Sequence, residues 1–296
     1  MNLVVGATGQ MGSKVCHLLA NKGKPVRTLV RSTSDPARVD ELKACGAEIA
    51  YGNLCDYDSL KTACKRVQAV ISTGSSMPVA YNPEENNIQK VDLEGLTHLI
   101  AAAKAEGVTR FIYTSFSGQI NLDFPLRNAK RAVERRLKES GLTYTILRPS
   151  YFMETWLGPG VGFDYPNASV QIYGKGENPI SWISAQNVAE FAVESLDNPA
   201  AQNATLELGG PEALSPLQAV QIFEEVSEKP FEIQHLTRED LQAQQNEATD
   251  PMQQSFSGLL LGYTNGDAID MQEMLSAFPI QLISVADYAR RALAAS

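Results

Sequence analysis

The opening stretch of the chain limits its possible folds more than any other. Leu3-Val4-Val5 is a short apolar run, and Gly6-Ala7-Thr8-Gly9-Gln10-Met11-Gly12 follows it directly. Beyond the glycines, Met11, Val15, Leu18 and Leu19 recur at helical spacing until Gly23. A strand, a glycine turn and an amphipathic helix are the expected result. Gly6 permits a tight turn out of the strand, and Gly12 lets the helix pack close. Gly9 removes the Cβ that would collide with a pyrophosphate. The unpaired amide N–H groups of the first helical turn then face the diphosphate, with the helix dipole favouring negative charge there, and Gly6, Thr8, Gly9, Gln10, Met11 and Gly12 are the cofactor-binding candidates of this stretch. The context of strand before and helix after makes this a dinucleotide site rather than an ordinary strand-to-helix turn.

Charge is divided unevenly along the 296 residues. Residues 1–150 carry 20 Lys and Arg against 14 Asp and Glu, a net of +6, while residues 151–296 carry 5 against 20, a net of −15. A positive first half suits an anionic dinucleotide. The acidic second half argues against a nucleic-acid surface, which needs clustered Lys and Arg. No run approaches the ~18 apolar residues of a membrane span. The N-terminus enters a strand with no basic and apolar leader, so a cytoplasmic protein is expected. Cys16, Cys45, Cys55 and Cys64 form no Cys-x-x-Cys pair, and the three histidines (His17, His98, His235) are scattered. Buried thiols of a reducing compartment are expected, with no metal site.

Strand-like and helix-like segments alternate through residue 150. Val26–Val30 reads as a second strand and runs into Arg31-Ser32-Thr33-Ser34, where an NAD-preferring site usually carries Asp or Glu. A guanidinium there pairs with a 2′-phosphate, so NADP(H) is preferred and NAD(H) remains possible. The alternative is an exposed arginine at a strand end. A helix over 36–45 and a strand over 48–51 lead to Gly52-Asn53-Leu54-Cys55-Asp56, whose Asn53 and Leu54 are placed to flank an adenine ring. Asp58 is a candidate cap for the next helix. Ala69–Ser72 is the fourth strand, and Thr73 and Gly74 leave its C-terminal end, where open parallel sheets bind ligands. Residues 77–87 read as a polar loop, 88–106 as a helix and 110–114 as a strand ending at Ser115. A helix near 127–140 and a strand over 143–147 complete the pattern of a Rossmann-type α/β fold with a doubly wound parallel sheet.

Past Pro149 the texture changes. Tyr151, Phe152, Trp156, Phe163 and Tyr165 fall in a segment rich in glycine and proline that either lines a pocket or pins a second lobe. Segments 170–173, 180–183, 205–208 and 231–233 read as strands, and Ser215-Pro216 starts a helix. The expected division is a dinucleotide-binding domain over 1–150 and a smaller C-terminal α+β substrate lobe over 151–296, with segments near 180–210 returning to the main sheet.

At Gly6–Gly12, Arg31 and the stretch Lys130-Arg131-Ala132-Val133-Glu134 … Gly141-Leu142-Thr143-Tyr144-Thr145, the chain resembles the NmrA-like family of atypical short-chain dehydrogenase/reductases. The glycine motif is common to many reductases. More specific is the lysine that opens a helix before a Gly-x-x-Tyr-Thr strand, which is similar to isoflavone-reductase-like enzymes. Arg148-Pro149-Ser150-Tyr151-Phe152 also resembles the family's segment after the sixth strand, and this implies that Pro149, Tyr151 and Phe152 contact the cofactor. Typical short-chain dehydrogenases use a Ser-Tyr-Lys set with the tyrosine four residues before the lysine. Ser115 and Lys130 are in place, but position 126 is leucine. A leucine cannot exchange a proton, so the usual mechanism is excluded unless Tyr113 or Tyr151 substitutes. The resemblance implies another route in which Lys130 handles the proton; otherwise Lys130 binds only the ribose hydroxyls of the cofactor.

Two functions follow. One is an NADP(H)-dependent reductase of a small carbonyl, quinone or activated double bond, with Lys130 and Ser115 at the catalytic centre and a small molecule as partner. The other is a non-catalytic NADP(H) sensor of the NmrA type that acts on a protein partner. Nucleophile elbows and phosphate loops ending in Gly-Lys-Ser/Thr are absent from the sequence.

Overall fold

β1 (Asn2–Val5) delivers Val5 to the glycine turn, and α1 (Gln10–Asn21) begins directly after it. The computed structural model describes residues 1–77 and 81–295. The chain continues as β2 (Val26–Val30), α2 (Pro36–Ala44), β3 (Glu48–Tyr51), α3 (Tyr57–Cys64) and β4 (Ala69–Ser72). A π-helix over Ile88–Gly95 then runs into α4 (Leu96–Ala105), followed by β5 (Arg110–Thr114), α5 (Pro125–Glu139) and β6 (Thr143–Pro149). Next come α6 (Met153–Trp156), β7 (Phe163–Asp164), β8 (Ser169–Tyr173), α7 (Ala185–Glu194) and β9 (Ala204–Leu208). The remainder is α8 (Pro216–Ser227), β10 (Glu232–Leu236), α9 (Arg238–Glu247), α10 (Pro251–Thr264), α11 (Gln272–Ala277) and α12 (Val285–Ala294).

The strands form a seven-stranded sheet in the order β3-β2-β1-β4-β5-β6-β9. All pairings from β3 through β6 are parallel, which makes the α/β doubly wound architecture expected from the alternation. The order reverses between β1 and β4, and register pairs Val5 with Ser72. The glycine turn and Thr73 therefore leave the sheet side by side at the switch point, where such sheets take their ligands. Beneath them, Leu3, Val5, Val70, Phe111, Tyr113 and Ile146 bury one sheet face against Leu60, Leu96, Leu99, Val133 and Leu137. β2 is buried throughout, including Arg27, whose guanidinium donates to the carbonyls of Ala63 and Lys65 at the end of α3 and to Glu48.

The chain divides into two compact units. The first is Met1–Ser115, Pro125–Arg148 and Val188–Leu206; the second is Phe116–Phe124, Pro149–Asn187 and Glu207–Ser296. Within the second, β8 pairs in parallel with β10 and antiparallel with β7. Tyr151, Trp156, Trp182 and Tyr263 form one aromatic cluster, and Phe163, Phe223 and Phe231 another. The buried Asp267 accepts from Ser117 at 2.7 Å through Oδ1, while its Oδ2 has no hydrogen-bond partner among the described residues.

Several local expectations change. Residues 180–183 are not a strand. Ile180 bridges both Leu214 and Asp267 while Ile183 bridges Phe152, so the segment changes partner too often to build a ladder. The cap of α3 is Asp56, which accepts from the amides of Asp58 and Ser59, and Asp58 lies in the first turn. Cys16 and Cys64 are buried, but Cys55 is exposed; all four cysteines are free thiols. The helix expected from residue 88 is widened into a π-helix over its first eight residues. Within the loop expected over 77–87, positions 78–80 lie outside the described residues. No helix among the described residues is long and apolar enough to cross a membrane.

Candidate functional site

The glycine turn has the form that a diphosphate requires. Gly6 has φ +82°, and a Cβ there would lie 2.7 Å from the Gly74 nitrogen and from Thr73 Oγ1. A Cβ on Gly12 would come within 2.1 Å of the Gly6 carbonyl oxygen. The turn is thus closed by backbone on backbone, and both glycines are sterically obligatory. Gly9 caps α1 in an extended conformation, and no side chain caps the helix N-terminus or places an acid in its first turn. Gly9 and Gln10 are exposed, Thr8 is partly exposed and Met11 is buried, with the Thr114 hydroxyl on its sulfur at 3.8 Å. The unpaired amides at a helix start are a ready site for negative charge, so the residues present fit a dinucleotide diphosphate.

Thr73 locks this corner. Its hydroxyl donates to the carbonyls of Val5 at 3.1 Å and Gly6 at 3.3 Å, and Gly74 lies against Gly6. Arg31 follows β2 and is partly exposed. A second cation went unnoticed in the sequence: Arg38 donates from Nη1 to the Thr8 carbonyl at 2.6 Å. Its signal is an arginine in the first turn of the helix after β2, on the side from which the phosphate turn is reached. Asn53 turns inward on its own loop, accepting from the Cys55 amide at 3.1 Å. Leu54 is buried, and its side chain reaches Gly95 and Gly74.

The catalytic candidates belong to the same unit. Lys130 lies on α5, on the face that also buries Leu126, Ala129 and Val133. Its Nζ is 3.4 Å from the Thr114 carbonyl and 5.6 Å from the centroid of the Tyr113 ring. Burial pulls the ammonium below the usual lysine range, opposed by the charges of Asp92 and Glu134 and aided by Arg131. Such a group is closer to exchanging its proton near neutrality than an exposed lysine is. Burial and then the charges of Asp92 and Glu134 hold the Tyr113 phenol well above its usual value, unlike a tyrosine activated for proton exchange. Its hydroxyl is buried without a hydrogen-bond partner among the described residues.

Ser115 is not a free donor. It accepts from Arg131 Nη1 at 3.1 Å and is hydrogen-bonded to Glu134. Glu134 in turn receives Arg131 and Arg148 as ion pairs, its own side chain only 4% exposed. Burial pushes the Glu134 carboxyl up, but hydrogen bonds from Arg148 and Ser115 and the charges of both arginines outweigh it, so it stays below the usual range. This network was not anticipated; its signal is a glutamate at the buried i+4 position from Lys130 on an otherwise apolar stripe.

Pro149, Tyr151 and Phe152 belong to the second unit, apart from Pro149's place at the end of β6. Phe152 is partly exposed. Tyr151 is buried against Trp156, Trp182 and Tyr263, and its hydroxyl donates to the Leu259 carbonyl at 3.2 Å. Burial, then the charge of Asp267, raises its phenol well above the usual value.

Comparison with known proteins places this arrangement. The model of the NmrA-like family matches residues 2–275. The chain belongs to the NmrA-like family. Among curated relatives of this NmrA-like protein, the photosystem II assembly factor Ycf39 of Synechocystis sp. is 32% identical over 227 residues, covering 76% of this chain and 67% of that protein. The NAD(P)H azoreductase of Xenophilus azovorans is 30% identical over 241 residues, covering 81% of this chain and 78% of that one. The fold is also that of the NADPH-dependent quinone oxidoreductase QOR2 of Escherichia coli in complex with NADPH, at a TM-score of 0.80 and 22% identity, covering 99% of this chain and 100% of that one.

Proposed function

We propose that this protein binds NADP(H) at the glycine turn and reduces a small carbonyl, quinone or activated double bond. When bound, the nicotinamide supplies the hydride. The chain's own part is to hold the diphosphate on the first turn of α1 and to supply a proton from the Lys130 ammonium to the acceptor atom that gains the electrons. The buried, desolvated lysine in the unit that carries the glycine turn is the observation behind this proposal. Ser115, tied to Arg131 and Glu134, acts by fixing the end of β5 beside that lysine. The relation to an azoreductase and the fold shared with a quinone oxidoreductase support reductive chemistry on a small molecule. Four free cysteines suit a reducing compartment such as the cytoplasm.

NADP(H) is favoured over NAD(H) because Arg31 follows β2 and Arg38 sits over the Thr8 carbonyl, giving two guanidinium groups for a 2′-phosphate. Arg31→Ala is expected to weaken NADPH binding about 10- to 100-fold, the loss of a charge-assisted contact, with little change for NADH. Calorimetric titration of both coenzymes checks this; equal affinities before and after the substitution remove the 2′-phosphate assignment.

A second reading is a non-catalytic NADP(H)-binding regulator that acts on a protein partner. Leu126 in the position of the usual tyrosine and the relation to a photosystem II assembly factor favour it. NADPH absorbance followed with a panel of quinones, aldehydes, enones and azo compounds, beside a binding titration, separates the two. Oxidation with any acceptor supports the reductase, and tight binding with no oxidation supports the regulator.

A further inference from the structure

Asp92, met so far only as a charge acting on Lys130 and Tyr113, is the most completely buried carboxylate in the first unit, at 0% exposure. It lies in the middle of the π-helix over Ile88–Gly95, which packs against α5. One carboxylate oxygen accepts from the Ser75 hydroxyl at 2.6 Å, and the other accepts from the amide of Ser76 at 3.1 Å and from its hydroxyl. Ser75 and Ser76 follow directly on Thr73 and Gly74, so the carboxylate is fixed to the segment leaving β4 at the switch point. π-Helical turns are uncommon and concentrate at functional positions. Here the widened turn carries an acid on the apolar side, between Ile88, Val91 and Gly95, which are all buried.

Every donor bound to Asp92 among the described residues is neutral, and a buried negative charge needs a compensating positive one. On the neighbouring helix is Lys130, 7% exposed, whose ammonium has only the Thr114 carbonyl at 3.4 Å as a hydrogen-bond partner among the described residues. The groups around it are few. Tyr113 of β5 lies under the ammonium. Glu134, on the same helix, is committed to Arg131 and Arg148, and Arg131 itself opposes a second cation. Among these, Asp92 is the one carboxylate without a cation of its own. The strand pairing adds to the polarity of the place: Ser72 and Tyr113 are register partners on β4 and β5, and both hydroxyls are buried without a hydrogen-bond partner among the described residues.

We propose that Asp92 is the positioning residue of Lys130: clamped by Ser75 and Ser76, its carboxylate keeps the buried ammonium charged and directs it over the Tyr113 ring. The consequence for the reaction, that a proton remains available on Lys130 up to a higher pH, rests on Lys130 being the proton donor; the electrostatic coupling does not. Removing the negative charge leaves burial and Arg131 to push the ammonium further below the ordinary lysine range.

The coupling is measured without turnover. In protein labelled with ¹³C-lysine, the Cε resonance of Lys130, assigned by its loss in Lys130→Arg, is titrated with pH in the wild type and in Asp92→Asn. The midpoint is expected to fall by about one pH unit or more in Asp92→Asn, the effect of deleting a nearby opposite charge. Ser76→Ala, which leaves the acid in place and loosens its clamp, is expected to lower the midpoint by a smaller amount, and it carries the test if Asp92→Asn does not fold; a midpoint that rises counts against the proposal. Midpoints unchanged in the folded variants overturn the proposal. If an acceptor is reduced, the alkaline limb of kcat moves to lower pH with the titration midpoint in Asp92→Asn. A moved midpoint in a protein that reduces nothing upholds Asp92 and ends the reductase reading; an unmoved midpoint in an active enzyme does the reverse.

Discussion

Lys130→Ala is expected to lower kcat by about 10²- to 10⁴-fold, the usual contribution of a positioned general acid, while NADPH affinity changes little. The ammonium is buried and lies next to the Thr114 carbonyl at the C-terminal end of β5. Neither of the two neighbouring hydroxyl groups is poised to take over. The Tyr113 phenol is held well above its usual range, by burial first, and Ser115 is engaged by Arg131 and Glu134. Steady-state kinetics with whichever acceptor the panel identifies, paired with NADPH titration, separates the possible roles. A loss in rate alone assigns the proton to Lys130. Matched losses in binding and rate make it a ribose anchor, and an unchanged rate removes it from the chemistry. The alanine also opens space under α5, so the coenzyme titration doubles as a check that the cofactor site still forms.

Glu134→Ala is expected to cost about 3–5 kcal/mol of folding stability, because it removes the buried carboxylate from an ion-pair cluster that two arginines share. Arg131 and Arg148 come from α5 and β6, so the glutamate joins a helix to the strand that follows it. Glu134→Gln retains hydrogen-bonding capacity but loses the charge, and a smaller loss is expected. The pH dependence has a definite sign. The carboxyl lies below the usual range when folded: burial pushes it up, and the hydrogen bonds from Arg148 and Ser115 and the two arginine charges more than reverse this. Its contribution is therefore complete above the unfolded-state value of about 4.3 and is lost as pH falls through the folded-state value. Urea denaturation of wild type and Glu134→Gln at neutral and acid pH checks this; a difference that grows toward acid contradicts it.

Much of the fold could be read from the chain because its signals are local. The glycine turn, the alternation of apolar strands with amphipathic helices and the Ser215-Pro216 start of α8 each depend on residues close in sequence, and each formed where expected. Segment 180–183 failed for the opposite reason. Its apolar pattern suits a strand, yet strand identity depends on a partner, and three different neighbours share its backbone. The acid at position 92 was passed over because the helical stripe around it is apolar, and periodicity has no means of telling a buried charge from a tolerated one.

Sequence alone settled the order of the elements, the backbone turn that only glycine can make, and the absence of a hydroxyl at position 126. Tertiary structure decided what surrounds the charged side chains: which lysine is dry, which carboxylate is spoken for by arginines, and which one is buried among neutral donors on a helix packed against that lysine's own. The division has a simple physical origin. Backbone conformation is governed over a few residues by sterics and hydrophobic spacing, whereas the proton affinity of a buried group is set by whatever the rest of the chain brings within a few ångströms of it.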